Sequence, residues 1–194
     1  MHYLPRDVDQ MLSGIHYLAL ARASSASHFL ERLVDQGERY REFLQRYAEV
    51  RIEPLDYYYV SLRCLGALTV ELIEDLCANY TWRGVVAASW LVCLSPRREF
   101  RPPLQDARFR APRNQWIVDL ALAETEGAEV PGFERIHRYV RMIRVLMKGL
   151  PRPATMLRRA PDKASQNVLK LQTERIRREY KRGGVSAARS AIEA

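Results

Sequence analysis

TWRGVVAASWLVCL, residues 81–94, leaves no face for water: Trp82, Val85, Val86, Ala87, Ala88, Trp90, Leu91, Val92 and Leu94 surround it, and Ser95-Pro96 stops the run. A helix that is apolar nearly all round belongs at the centre of a packed fold, so this segment predicts a central helix. It is too short for a bilayer, which needs roughly 18 uninterrupted apolar residues. No other window of the chain reaches that length.

On both sides of this segment the apolar residues recur at three- and four-residue intervals, with no sustained strand-like alternation, which predicts an all-α protein of antiparallel helical hairpins. A first helix is expected from near Arg6, with Val8, Met11, Leu12, Ile15, Leu18 and Ala19 on one face. Ser24, Ser25 and Ser27 are expected to end it and to cap the next. The second helix turns Phe29, Leu33, Tyr40, Phe43, Leu44 and Tyr47 inward and carries alternating charges outside. Pro54 opens a third at its first position, running through Tyr57, Leu62, Leu65, Leu68, Leu72 and Leu76, with a break at Gly66 and a stop at Asn79.

Beyond the central segment, residues 97–113 contain Pro102, Pro103 and Pro112 and hold at most a short helix. Helices are then predicted over 114–126 and 133–148, separated by a turn at 127–132. In the second of these, Phe133, Ile136, Val140, Ile143 and Met147 cluster within about 80° at 100° per residue, and Arg135, Arg138, Arg141, Arg144 and Lys148 fan round the other side.

Charge divides the chain unevenly. Residues 1–147 hold 19 basic and 19 acidic side chains, whereas 148–194 hold 12 basic against 4 acidic, so the whole net charge of +8 lies in the last quarter. The reading is a helical body over 1–148, a proline-containing linker over 149–161, and a basic amphipathic helix and tail over 162–194. Asp162 is placed to cap that helix, which runs to Gly183-Gly184 with Val168, Leu169, Ile176 and Tyr180 as a narrow apolar stripe. A neutral body with a cationic arm points to an acidic partner.

Trp82 and Trp116 stand 34 residues apart, and the aromatic, aliphatic and small positions after them correspond. That spacing fits one helical hairpin per unit. With the 81–91 stretch and the proline-containing connector, this segment resembles HEAT-like helical-repeat proteins, in particular small bacterial members of immunity type. The resemblance covers about residues 65–148. It implies a binding scaffold and supplies no catalytic residues; an irregular helical bundle is the other architecture the pattern allows.

The residue types that carry catalysis do not assemble in the sequence. His2, His16, His28 and His137 lack metal-site spacing, and GxSxG, SxxK, P-loop and GxGxxG motifs are absent. Cys64, Cys77 and Cys93 show no CxxC spacing and fall in apolar stretches, reading as reduced core thiols. Glu71, Glu74 and Asp75 share a helix face and read as a solvated acidic patch. Neither a cofactor nor a metal is expected, nor enzymatic activity. The first residues lack the basic-then-apolar pattern of a secretory signal, so the expected compartment is the cytoplasm.

The expected contact surface combines Tyr57 and Tyr58, from a tyrosine triplet spread about 200° round its helix, with cations of the body. Those cations are Arg97, Arg98, Arg101, Arg108, Arg110 and Arg113 in the connector, and Arg135, Arg138, Arg141 and Arg144 on the helix that follows. Lys170, Arg175, Arg177, Arg178, Lys181 and Arg182 extend the surface along the tail. The expected function is protein binding, most sharply an immunity-type inhibitor that neutralises a toxin through its acidic surface. Nucleic-acid binding is the alternative. A membrane surface ranks third, because the tail has neither tryptophan nor phenylalanine, and no small-molecule substrate is expected.

Overall fold

The computed structural model of the chain describes residues 1–46 and 55–193. Among them the regular elements are helices, and there is no β-strand. In chain order these are α1 (Pro5–Leu12), α2 (Tyr17–Leu20), α3 (Ala23–Arg46), α4 (Leu55–Gly66), α5 (Val70–Asn79), α6 (Trp82–Leu94), α7 (Arg101–Arg110), α8 (Gln115–Glu126), α9 (Glu134–Met147) and α10 (Lys163–Glu193). Short 3₁₀ turns occupy Arg98–Phe100 and Pro112–Asn114. The residues form two compact units, Met1–Arg158 and Arg159–Ala194.

The central segment is α6, and every residue from 84 to 94 is buried. It packs against α2, α4, α5, α7, α8 and α9, which explains why it has no polar face. Its approach to α5 depends on Gly84, where a Cβ would collide with the Leu76 carbonyl and with Tyr80. The hairpins α5–α6 and α7–α8 stack with α5 beside α7 and α6 beside α8. Trp82 and Trp116 open the two inner helices as the spacing predicts. Trp116 stacks on Phe133, with ring centroids 6.0 Å apart.

The first helix differs from the expectation. Gly14 adopts φ 94°, a left-handed conformation that glycine takes without steric penalty, and the chain turns there between α1 and α2. Leu18 therefore leaves the core face and is 81% exposed. Arg63 of α4 caps the broken end, its guanidinium donating to the carbonyls of Met11 at 2.6 Å and Ser13 at 2.8 Å. Ser24, Ser25 and Ser27 lie inside α3 rather than ending a helix. Phe29 and Leu33 are buried as expected, but Phe43 is exposed. The side chains of Tyr40 and Leu44, and residues Tyr47 and Pro54, lie outside the described residues.

Tyr57 and Tyr58, expected at a partner surface, are buried instead. Tyr57 sits edge-on to Phe29 at 4.9 Å and lies 5.7 Å from Trp90, while the Tyr58 hydroxyl donates to the Leu33 carbonyl at 3.0 Å. The α3–α4 contact absorbs both rings, leaving Tyr59 partly exposed beside Arg63. Asp75 departs from the solvated acidic face in the same way. Its buried carboxylate accepts backbone N–H bonds from His2 and Tyr3 at 2.8–2.9 Å and one from Asn79 Nδ2 at 3.1 Å.

Residues 149–158 of the proline-containing stretch go with the first unit. Leu150 is buried, Thr155 Oγ1 donates to the Arg63 carbonyl, and Leu4 N–H donates to the Arg158 carbonyl at 3.0 Å. The Arg158 guanidinium grips Asp7 through both carboxylate oxygens at 2.7 and 2.9 Å. Those bonds pull the Asp7 carboxyl down to about 2.

In the second unit, Asp162 Oδ1 accepts the Ser165 N–H at 2.7 Å, the cap expected from the sequence. That bond holds the Asp162 carboxyl below the usual carboxylate range. Gly183 and Gly184 break α10 with non-helical backbone, after which the helix resumes. Val168, Leu169 and Tyr180 are each more than half exposed. Lys170, Arg175, Arg177, Arg178, Lys181 and Arg182 are exposed as well. Among the described residues, no helix is long and apolar enough to cross a membrane.

Candidate binding groove

Internal carboxylates engage most of the body arginines that the sequence singles out. Arg108 holds Asp119 bidentately at 2.6 and 3.2 Å, Arg101 pairs with Glu126, and Arg97 meets Glu99 at 3.0 Å while covering the Phe100 ring. On α9, Arg135 pairs with Glu31, Arg141 with Glu129 at 2.6 Å, and Arg144 with the buried Glu124. The Tyr139 hydroxyl and the Arg135 guanidinium together hold Glu31 below the usual carboxylate range. The basic side of α9 is therefore largely neutralised. Among the described residues, Arg98, Arg110, Arg113 and Arg138 have no carboxylate partner.

Two of these four, Arg110 and Arg113, meet at a groove of about 600 Å³. Leu18 and Ala21 of the α2 region, Arg22 and Ser25 of the α3 start, Trp82 of α6, and residues 110–114 line it. No acidic side chain lines it. The cleft between α3 and α9 is different, since Glu129 and Glu134 stand there beside Arg138 and Arg141.

Local sequence builds each wall. Pro112 disfavours helical backbone in the residue before it, so Ala111 leaves the helix at φ −123° and ψ 64°, and α7 ends with Arg110 on one side of the bend and Arg113 on the other. Asn114 Nδ2 and Trp116 Nε1 both donate to the Ala21 carbonyl, at 3.1 and 3.2 Å, tying the α2 wall to the start of α8. The turn at Gly14 brings Leu18 outward. Trp82, half-buried at the first position of α6, carries the Arg83 guanidinium 5.8 Å from its ring centre.

Arg110 and Arg113 were legible in the sequence as cations; Leu18 and Arg22 were not. Leu18 matched the core pattern of α1, and only Gly14 signals the break that exposes it. The groove offers guanidinium forks, suited to bidentate pairing with planar or tetrahedral anions, next to apolar side chains. Ser25 is the only hydroxyl in the lining, and neither histidine nor carboxylate lines the groove to activate it.

His137 and the three cysteines are built into the core. Val130 N–H donates to His137 Nε2 at 2.9 Å, so the hydrogen sits on Nδ1 and is donated to Glu124 Oε1 at 2.5 Å. Both ring nitrogens are thus occupied. Burial pushes the thiols of Cys64 and Cys77 up to about 12 and raises that of Cys93 as well, far from the thiolate that metal binding or nucleophilic attack requires. Comparison with known protein families, curated proteins and solved structures gives no match.

Proposed function

We propose that the protein is a non-catalytic binding module that engages a partner protein through an acidic surface. The observation that carries this reading is the groove at Arg22, Arg110 and Arg113, where cations without carboxylate partners among the described residues stand beside apolar side chains on the first unit. Complementary charge speeds encounter, and desolvated anchors slow release. The exposed cations of α10 add to the attraction without needing a fixed geometry. The narrower form of the proposal is an immunity-type inhibitor that neutralises a toxin in the cytoplasm. Its support is the likeness of residues 81–91 to such proteins and the stacking of α5–α6 on α7–α8, which suits a helical-repeat scaffold.

One observation favours a second reading, nucleic-acid binding. Trp82 lies among Arg22, Arg83, Arg110 and Arg113, and Phe109, next to Arg110, is 78% exposed, so cations and stacking surfaces are close together in a way the sequence does not reveal. The test is affinity capture of the full-length protein from its native extract with and without nuclease. A stoichiometric protein that survives nuclease and is lost with Arg110→Glu/Arg113→Glu supports the first reading. Recovery of only nuclease-sensitive material, with affinity falling by about 0.9 log units per log unit of salt for each duplex phosphate contact, replaces it with the second.

A further inference from the structure

We propose that the groove takes an acidic segment of the partner in which an apolar side chain lies between carboxylates, the apolar side chain seating on Leu18, Trp82 and Pro112 and the carboxylates on Arg22, Arg110 and Arg113. The inference rests on the protein-binding reading and names what that reading leaves open: the chemistry of the segment that enters.

Three features of the groove select such an occupant. Its cations lack carboxylate partners among the described residues, so no internal ion pair must break before an external anion binds. Its floor is mainly aliphatic, from Leu18, Ala21, Ala111 and Pro112, with Trp82 as the one aromatic in the lining. A strand of nucleotides needs successive stacking platforms, whereas a leucine or phenylalanine side chain fits an aliphatic floor beside one indole. Leu18 is the third. A leucine held 81% exposed on a short helix, with arginines of the same groove nearby, has apolar area to bury only when something covers it.

A uniformly acidic ligand would satisfy the guanidiniums and leave the floor wet. A uniformly apolar one would bury the floor and desolvate the guanidiniums without pairing them. The alternation of the two satisfies both. The opening of about 600 Å³ falls within the range of concave ligand sites, with room for a bulky side chain and the carboxylates beside it.

A change in tryptophan fluorescence reports occupancy, since Trp82 lines the groove and Trp116 bonds to its Ala21 wall, whereas Trp90 is buried in the aromatic cluster. The probes are three ligands of similar net charge: a peptide alternating Glu and Leu, a peptide of the same length alternating Glu and Ser, and an oligothymidylate. Titration into the full-length protein is expected to show the Glu/Leu peptide binding about tenfold tighter than the Glu/Ser peptide, the advantage of burying apolar side chains. Leu18→Ser, at a surface position that leaves the core intact, is expected to remove most of that advantage, and Arg110→Glu/Arg113→Glu to weaken both peptides.

Equal affinity of the two peptides overturns the inference, as does tightest binding of the oligothymidylate or no saturable change up to about 1 mM of either peptide. The capture experiment keeps the two levels apart. If Leu18→Ser retains a nuclease-resistant protein partner in full while Arg110→Glu/Arg113→Glu loses it, the apolar seat is wrong and only this inference fails. If no variant, nor the unaltered protein, retains one, the protein-binding reading fails with it.

Discussion

Replacing Glu124 tests whether the charge cluster between α8 and α9 is a structural lock. Its carboxylate is buried, accepts the His137 Nδ1–H at 2.5 Å, pairs with Arg144, and has Arg141 Nε at 3.9 Å. Glu124→Ala strips the partner from a fully buried imidazole, an orphaned donor that costs about 1–3 kcal/mol. Removing one side of a fully buried ion pair costs about 3–5 kcal/mol. Arg144 is a quarter exposed and turns partly to water, which shrinks the second cost. The expected loss is therefore about 2–4 kcal/mol, or a fall in Tm on the order of 5–15 °C for a chain of this size. Glu124→Gln keeps an acceptor for His137 and loses only the charge, so it should cost roughly half as much. Urea unfolding followed by far-ultraviolet circular dichroism measures both, with an unchanged m-value as the control for a common unfolded state. Glu124→Ala within about 0.5 kcal/mol of the unaltered protein, or Glu124→Gln as damaging as Glu124→Ala, would refute the assignment.

Three further outcomes follow from the packing. Gly84→Ala forces a Cβ against the Leu76 carbonyl, which as backbone of α5 yields little, so stability should fall by about 1–3 kcal/mol despite alanine's better helix propensity, as chemical denaturation would show. Tyr58→Phe should cost about 1 kcal/mol by removing the bond to Leu33, whereas Tyr57→Phe should be neutral or mildly stabilising, because the Tyr57 hydroxyl has no sound hydrogen bond among the described residues; equal losses at the two positions would contradict this. For Asp7, the folded carboxyl titrates at about 2 against an ordinary 3.8, so its contribution is present above about pH 4 and is lost as pH falls towards 2; in acid titrations, Asp7→Asn should differ from the unaltered protein at pH 5 and converge with it at the bottom of that window.

Legibility in the sequence followed the range of the interactions. The central α6 was legible because an all-round apolar run has one physical solution. The α9 stripe and the Asp162 cap were legible because the residues that settle them lie within a turn or two of each other. The break at Gly14 was not, since Val8, Met11 and Leu12 continue into Ile15 and Leu18 with unbroken helical spacing, and only the glycine's left-handed backbone separates them. Asp75 and the tyrosine pair were misplaced for a different reason. Their partners, His2 and Tyr3 in one case and Leu33 and Phe29 in the other, come from distant chain segments that local periodicity cannot bring together. The groove is the extreme case. Its cations come from the residue before α3 and the α7–α8 bend, and whether a given arginine is free depends on where Asp119, Glu126, Glu129 and Glu124 land after folding.

The clasp between Leu4, Asp7 and Arg158 makes the first unit a closed circuit, its opening and closing segments joined edge to edge. The cationic helix begins five residues beyond that join. Arg158 thus ties the end of the first unit to its beginning, through three hydrogen bonds to Asp7 and one to Leu4. Acid that protonates Asp7 weakens this closure and so loosens the opening and closing segments of the first unit together.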